Sequence, residues 1–373
     1  MKKRYAAIPL ILSASMLASV PAFAEDGVTV SWYNFGDAFS SYVRDSMSNA
    51  FDELGVDATM KDSNNIQQTQ NDDLQTAVNT GTSAIVVQMV DSGAYATAKN
   101  ILQMGMDADI PVIFFSRVMS TDNDECAELM STYDKTCYIG TKPEEAGYLQ
   151  GDMIGEYLVN HYDECDLNGD GKISYVMLKG DQANQEAIYR TKYSVEYANK
   201  ALEKAGYPDL EYYDPSTDTN GDEGPYIVDP NGSWSQTFAN ETMTTILTQY
   251  NESNNNMPEL IISNNDDMAI GAINALKVAG YNTEGGTYIP VFGVDATDQA
   301  KKAIAAGEMT GSVLQDPEIY GKTVARVTAN SISGKDMFDG LDDKIQIIDG
   351  WDCVIPYAPY TADAETATEG ATE

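Results

Sequence analysis

From Val28 onward, short apolar runs alternate with longer amphipathic stretches, the pattern of repeated βαβ units. The spacing predicts strands at Val28–Tyr33, Val56–Met60, Ala84–Val90 and Val112–Phe115. Between them Phe39, Val43, Met47, Ala50 and Leu54 recur at helical spacing, as do Leu74 with Val78 and Ala94 with Ala98, Ile101 and Leu102. Lys142-Pro143-Glu144-Glu145 opens a further helix running to about Tyr162, with proline and acids where a helix start favours them. The alternation then restarts: strands at Ile173–Leu178, Leu210–Tyr213, Leu260–Ser263 and Tyr288–Val294, helices at Gln185–Ala205, Ser235–Tyr250, Asp267–Ala279 and Asp298–Ala306. Late strands near Gly311–Leu314 and Ile345–Ile348, flanking a helix at Tyr320–Ser333, are too few for a third unit and are expected to complete the two sheets. The fold class is α/β, with two doubly wound parallel-sheet domains.

Composition and the first residues narrow the setting. Lys2, Lys3 and Arg4 precede an apolar run from Tyr5 to Val20, and Ala22-Phe23-Ala24 supplies the small residues of a cleavage site, so residues 1–24 read as a signal peptide. No cysteine lies near that site to carry a lipid anchor, and no later run is long and apolar enough for a transmembrane helix, so the expected location is periplasmic or extracellular. The 349 residues that remain (373 minus 24) exceed what one core usually serves. The formal charge of −36 becomes −39 without the three leading cations, which argues against nucleic acid or anionic lipid as a partner. Cys126, Cys137, Cys165 and Cys353 allow three pairings in an oxidising compartment; Cys126 with Cys137 is the most local and the expected bridge. With His161 the only histidine, no Ser/His/Asp or Cys/His catalytic set is available.

One polar stretch interrupts the alternation with a distinct chemistry. Asp166-Leu167-Asn168-Gly169-Asp170-Gly171-Lys172-Ile173-Ser174 places oxygen-bearing side chains at loop positions one, three, five and nine, with glycine at six, as a calcium loop requires. Position twelve is Met177, in a predicted strand, so the last ligand must come from elsewhere. Residues 214–232 form a polar insertion in which Asp218, Asn220 and Asp222 imitate a second loop, with its glycine one place late at Gly224. The tail from Thr361 to Glu373 is Ala/Thr/Glu-rich and is expected to be disordered.

In doubly wound sheets ligands sit beyond the carboxyl ends of the strands. Polar residues directly after apolar runs are therefore the site candidates: Asp37 with Phe39, Ser116 with Arg117, Asn184, Glu186 and Arg190, then Asn264, Asn265 and Asp266, then Asp295 and Gln315. Carboxylates, amides and an arginine, with Phe39 and Trp234 as flat apolar faces, suit a small neutral polyhydroxylated ligand, whose hydroxyls donate and accept while its C–H faces lie on aromatic rings. Each has a plainer reading too: Phe39 as core, Arg190 as a surface ion pair, Asn265 and Asp266 as helix caps.

These residues, together with Tyr138-Ile139-Gly140-Thr141, Lys179-Gly180-Asp181, Ile262 through Ala269 and Pro290 through Ala296, make the chain similar to the bacterial periplasmic galactose/glucose-binding proteins, type I periplasmic binding proteins that feed ABC importers and serve chemotaxis receptors. The resemblance runs from about Val28 to Tyr357, interrupted near Thr121–Glu128 and Asp214–Val228. It implies an amino-terminal domain of residues 25–141 plus 316–355 and a carboxyl-terminal domain of residues 142–315 plus 356–360, joined by crossovers near Thr141, Gln315 and Ile355 and closing on a monosaccharide. It implies a monomer that delivers sugar to a membrane permease, with a chemoreceptor as a further partner. It also implies calcium held by Asp166, Asn168, Asp170, the Lys172 carbonyl, Ser174 and Glu259, although Ser174 is shorter than the family's glutamine. Among the sugar contacts, Asp37, Phe39, Arg190, Trp234, Asn265 and Asp295 match. Ser116, Asn184, Glu186 and Gln315 stand where the family has asparagine, histidine, aspartate and asparagine. Galactose or glucose is thus the default ligand, in a pocket whose polar partners have been displaced.

Two rival classes bear on the same residues. Asp37, Glu186 and Asp295 could serve a secreted carbohydrate-acting enzyme, although nothing in the sequence fixes the opposed pair of carboxyl groups that glycoside hydrolysis needs. A DNA-binding sugar repressor fails on the export signal, the negative charge and the lack of a helix-turn-helix segment.

Overall fold

The computed structural model describes residues 27–120, 122–217 and 220–362; the expected signal peptide, Asp218 and residues 363–373 of the tail lie outside them. The first sheet holds β1 (Val28–Trp32), β2 (Ala58–Asp62), β3 (Ile85–Val87), β4 (Val112–Phe115) and β5 (Thr136–Gly140), joined late in the chain by β12 (Gln346–Ile348) and β13 (Asp352–Val354). Its order is β12-β13-β5-β4-β3-β1-β2, parallel except for β12. The second holds β6 (Ser174–Lys179), β7 (Glu211–Tyr212), β8 (Ile227–Val228), β9 (Leu260–Ser263), β10 (Val291–Asp295), β11 (Gly311–Leu314) and β14 (Ala358–Tyr360). Its order is β14-β11-β10-β9-β6-β7, with β8 also beside β6 and only β14 antiparallel. The predicted α/β class with two doubly wound sheets is what the chain adopts, and the late strands divide between the sheets.

Central strands such as β1 are buried at every position, as parallel strands covered on both faces must be. Helix α1 (Ala38–Leu54) turns Phe39, Val43, Met47, Ala50 and Phe51 onto the first sheet, starting from an Asp37 cap and stopping at the left-handed Gly55. Helix α10 (Pro317–Ile332) covers the same face. The other face is filled by α2 (Gln67–Thr80), α3 (Tyr95–Ala108) and α4 (Asn123–Ser131). In the second unit, α5 (Pro143–Cys165) and α6 (Gln185–Ala205) pack together on one face, and α7 (Gln236–Gln249), α8 (Asp266–Val278) and α9 (Asp298–Ala305) on the other.

The chain moves between the two sheets three times, after β5, after β11 and after β13. The insertion after β7 is less loose than its composition suggests. Its Glu223 pairs with Lys179, a fully buried lysine whose ammonium also lies 4.4 Å from the Tyr226 ring centroid, and its residues 227–228 extend the sheet as β8.

The expected Cys126–Cys137 bridge is not formed; all four cysteines are free and buried. Nearness in sequence was misleading. Cys137 points from β5 into the core under α1 and α10, whereas Cys126 on α4 belongs to the core on the opposite face of the sheet. A bridge would have to pass through the sheet.

Candidate functional site

The carboxyl ends of both sheets face one cavity of about 450 Å³, part of it open to solvent. Asp37, Phe39, Ser116, Asn184, Glu186, Arg190, Trp234, Asn265, Asp295 and Gln315 all line it, joined by Tyr33, Ser40, Gln88 and Arg117. Of these four, Arg117 stands at a strand end where the sequence pattern points. The others are missed because Tyr33 and Gln88 read as strand and Ser40 as helix. Asn264 and Asp266, also strand-end candidates, are taken up by structure. The Asn264 amide bonds Gly180 and Thr191, and Asp266 accepts from Ser312 and the Thr297 amide.

Local rules explain why these side chains face inward. Asp37, Asn184 and Asn265 are the N-caps of α1, α6 and α8, accepting from the amides of Ser40, Ala187 and Met268. Asn265 therefore both caps α8 and lines the cavity. Ser116, Trp234 and Asp295 sit at φ 64°, 56° and 114°, a region L-residues rarely adopt. Strain of this kind persists where surrounding structure holds it and gathers at functional sites. Gly180 makes room for one wall: a Cβ there would come within 2.1 Å of Cε3 of Trp234.

The cavity is closed over by contacts between the two units. Arg117 donates to Asp181 at 3.1 Å and to the Val90 carbonyl, with its guanidinium 4.2 Å from the Tyr33 ring centroid. Asn65 donates to the Asn231 carbonyl nearby. Deeper in, Arg190 donates to Glu186 at 2.9 Å and to the Asn264 carbonyl at 2.9 Å, and lies 3.8 Å from Asp295. Burial works against charge on Arg190, but Tyr357, Glu186 and Asp295 outweigh it and hold its pKa above the ordinary value. Burial pushes Asp295 well above the usual carboxylate range, only partly offset by Arg190.

Among the described residues, three cavity-lining side chains carry a buried polar atom with no protein partner: Gln88 Oε1, Arg117 Nε and Arg190 Nε. One is an acceptor and two are donors.

The loop Asp166–Ser174 joins α5 to β6, away from the cavity. Gly171, its sixth position, takes φ 83° as the sharp turn requires. The carboxylate of Asp166 accepts from the amides of Gly169, Asp170 and Gly171, Asn168 Oδ1 from that of Asp170, and Asp170 from that of Lys172. Glu259, wholly buried, reaches the same loop and accepts from the Leu167, Asn168 and Ser174 amides and the Ser174 hydroxyl. Burial raises its pKa, and among the described residues no lysine or arginine pairs with it. The donor set is hard oxygen throughout and fits calcium by type. Among the described residues, however, no three His, Cys, Asp or Glu side chains converge as a metal cluster.

Two parallel-sheet units closing on a cavity of strand-end polar groups define a solute-binding protein. The chain belongs to the periplasmic binding protein domain family, whose description matches residues 28–336. It is 33% identical over 344 residues to the D-galactose/methyl-galactoside binding periplasmic protein of Haemophilus influenzae, covering 91% of this chain and 92% of that one. Two solved structures share its fold. An ABC transporter solute binding protein from Bacillus halodurans with bound myo-inositol has TM-score 0.66 at 21% identity, covering 93% of this chain and 98% of that one. One from Clostridium phytofermentans with bound β-D-glucose has TM-score 0.68 at 16% identity, covering 91% and 95%. The protein is a binding protein rather than an enzyme, and the rival reading of the cleft carboxylates falls. Among the described residues no helix is long and apolar enough to cross a membrane.

Proposed function

We propose that this protein captures a monosaccharide or cyclic polyol between its two units and delivers it from the periplasm to an ABC importer, with galactose or glucose as the default ligand. The observation that carries this is a cavity lined from both units by acceptors and donors, Asp37, Gln88 and Arg117 from the first and Asn184, Arg190 and Asp295 from the second. A buried polar atom left unpaired costs about 1–3 kcal/mol. A ligand that satisfies acceptors and donors together must itself donate and accept, which neighbouring hydroxyls do. Trp234 and Phe39 supply flat faces for its C–H surface. The Haemophilus relative's name supports galactosides, and the two solved structures, through myo-inositol and glucose, support the broader polyol class.

A thermal-shift screen against D-galactose, D-glucose, D-allose, D-ribose and myo-inositol tests this, because a ligand that binds only the folded form raises the melting temperature by mass action. At least one should shift it in a dose-dependent way; no shift with any would count against the class.

We further propose that Asp166, Asn168, Asp170, the Lys172 carbonyl and Glu259 hold one calcium ion in a structural role, with Ser174 acting through water. Glu259, a buried carboxylate with no lysine or arginine partner among the described residues, supports it.

A further inference from the structure

The resemblance places Glu186 among the ligand contacts, but its carboxylate is already engaged elsewhere. Thr141 donates to Oε1 at 2.5 Å, and Tyr357 and Arg190 donate to Oε2 at 2.7 and 2.9 Å. The same Arg190 Nη2 lies 2.8 Å from the Tyr357 hydroxyl and 3.4 Å from Gln315 Oε1. Thr141 follows β5, Gln315 follows β11 and Tyr357 lies between β13 and β14, so one residue comes from each of the three crossovers. All five side chains are buried, and burial, the largest influence on Tyr357, keeps its phenol protonated and able to donate.

We propose that Glu186 is a positioning residue: it fastens Arg190 to all three crossovers, so that the hinge and the ligand cavity share one hydrogen-bonded cluster. Arg190 lines the cavity and meets the hinge through Nη2. A ligand that engages the guanidinium fixes its plane, and that plane fixes the groups on the crossovers. Glu186 thereby acts on affinity through Arg190, and Tyr357, which is not part of the cavity wall, acts with it.

The test replaces Tyr357→Phe and Thr141→Val, each of which removes one hydroxyl from the cluster. Hydrogen–deuterium exchange without sugar should quicken in the segments around 140–142, 314–316 and 355–358 together in either variant. Quickening confined to the segment that carries the substitution would overturn the proposal. The second arm rests on the sugar-binding reading. Calorimetry with D-galactose, D-glucose and myo-inositol should show Tyr357→Phe weakening binding roughly 3- to 10-fold, one hydrogen bond's worth. Combined with Glu186→Gln, the loss should be smaller than the product of the single losses, as coupled groups give. Independent effects, or a silent Tyr357→Phe, would overturn it. If the unaltered protein binds none of the three, the sugar-binding reading has failed and the exchange arm still decides this one.

Discussion

Replacing Asp295→Asn should move affinity and stability in opposite directions. The side chain is 5% exposed at the end of β10, held at φ 114°, and burial raises its pKa well above the carboxylate range despite Arg190 at 3.8 Å. An asparagine keeps the shape and removes a charge-assisted acceptor for ligand hydroxyls, worth about 1.5–3 kcal/mol. Binding should therefore weaken roughly 10- to 150-fold. The folded state, by contrast, holds the Asp295 proton more tightly than the unfolded chain does, so ionisation works against folding as pH rises above the unfolded carboxylate's value of about 4. Asparagine removes that burden, while Arg190 keeps Glu186 and Tyr357 as partners. At pH 8 the melting temperature should rise, each 1 kcal/mol being worth roughly 2–4 °C for a domain of this size. Titration calorimetry and scanning calorimetry on the same preparation read both effects. Undiminished affinity would refute the acceptor role, and a fall in melting temperature of several degrees would assign the lost affinity to damage of the fold.

Other groups extend the pH argument. Burial pushes Asp266 up to about 7, and Asp267 and Asp352 to about 6, so the native state keeps protons the unfolded chain releases between roughly pH 4 and 7. Melting temperature should fall as pH rises through that window, and Asp266→Asn should flatten the upper part; a slope unchanged in that variant would contradict the assignment. Gly180→Ala should displace the Trp234 ring, costing roughly 1–3 kcal/mol as overpacking and weakening ligand binding with it, whereas unchanged affinity would remove Trp234 from the site. Excess chelator should lower the melting temperature of the unit carrying the Asp166–Ser174 loop and leave affinity nearly intact; an identical melting profile would sink the calcium proposal.

The strands that belong to repeated βαβ units were legible from apolar runs, and the cavity from the polar residues at the carboxyl end of each run. Shifts such as Ala58–Asp62 for the expected Val56–Met60, or Ile85–Val87 for Ala84–Val90, reflect hydrogen-bond register, which apolarity alone does not report. Helix α4 carries a capping signal, Asp122 with Asp124 and Glu125 just after it, but a weak apolar stripe. β13 and β14 span three residues each and take their places from partners remote in sequence. The cysteine error has the same root, because the face of a sheet, not separation along the chain, decides which thiols meet. The engagement of Glu186 was hidden for a further reason: Thr141, Gln315 and Tyr357 meet it only once three distant crossovers converge.

The most direct measurement is a titration of the protein with D-galactose, D-glucose and myo-inositol, with chemical analysis of the recovered ligand. One of them should saturate a single site per chain and be recovered unchanged. No saturable binding of any of the three, or recovery of a cleaved or altered sugar, would contradict a ligand-capturing role for the cavity between the two sheets.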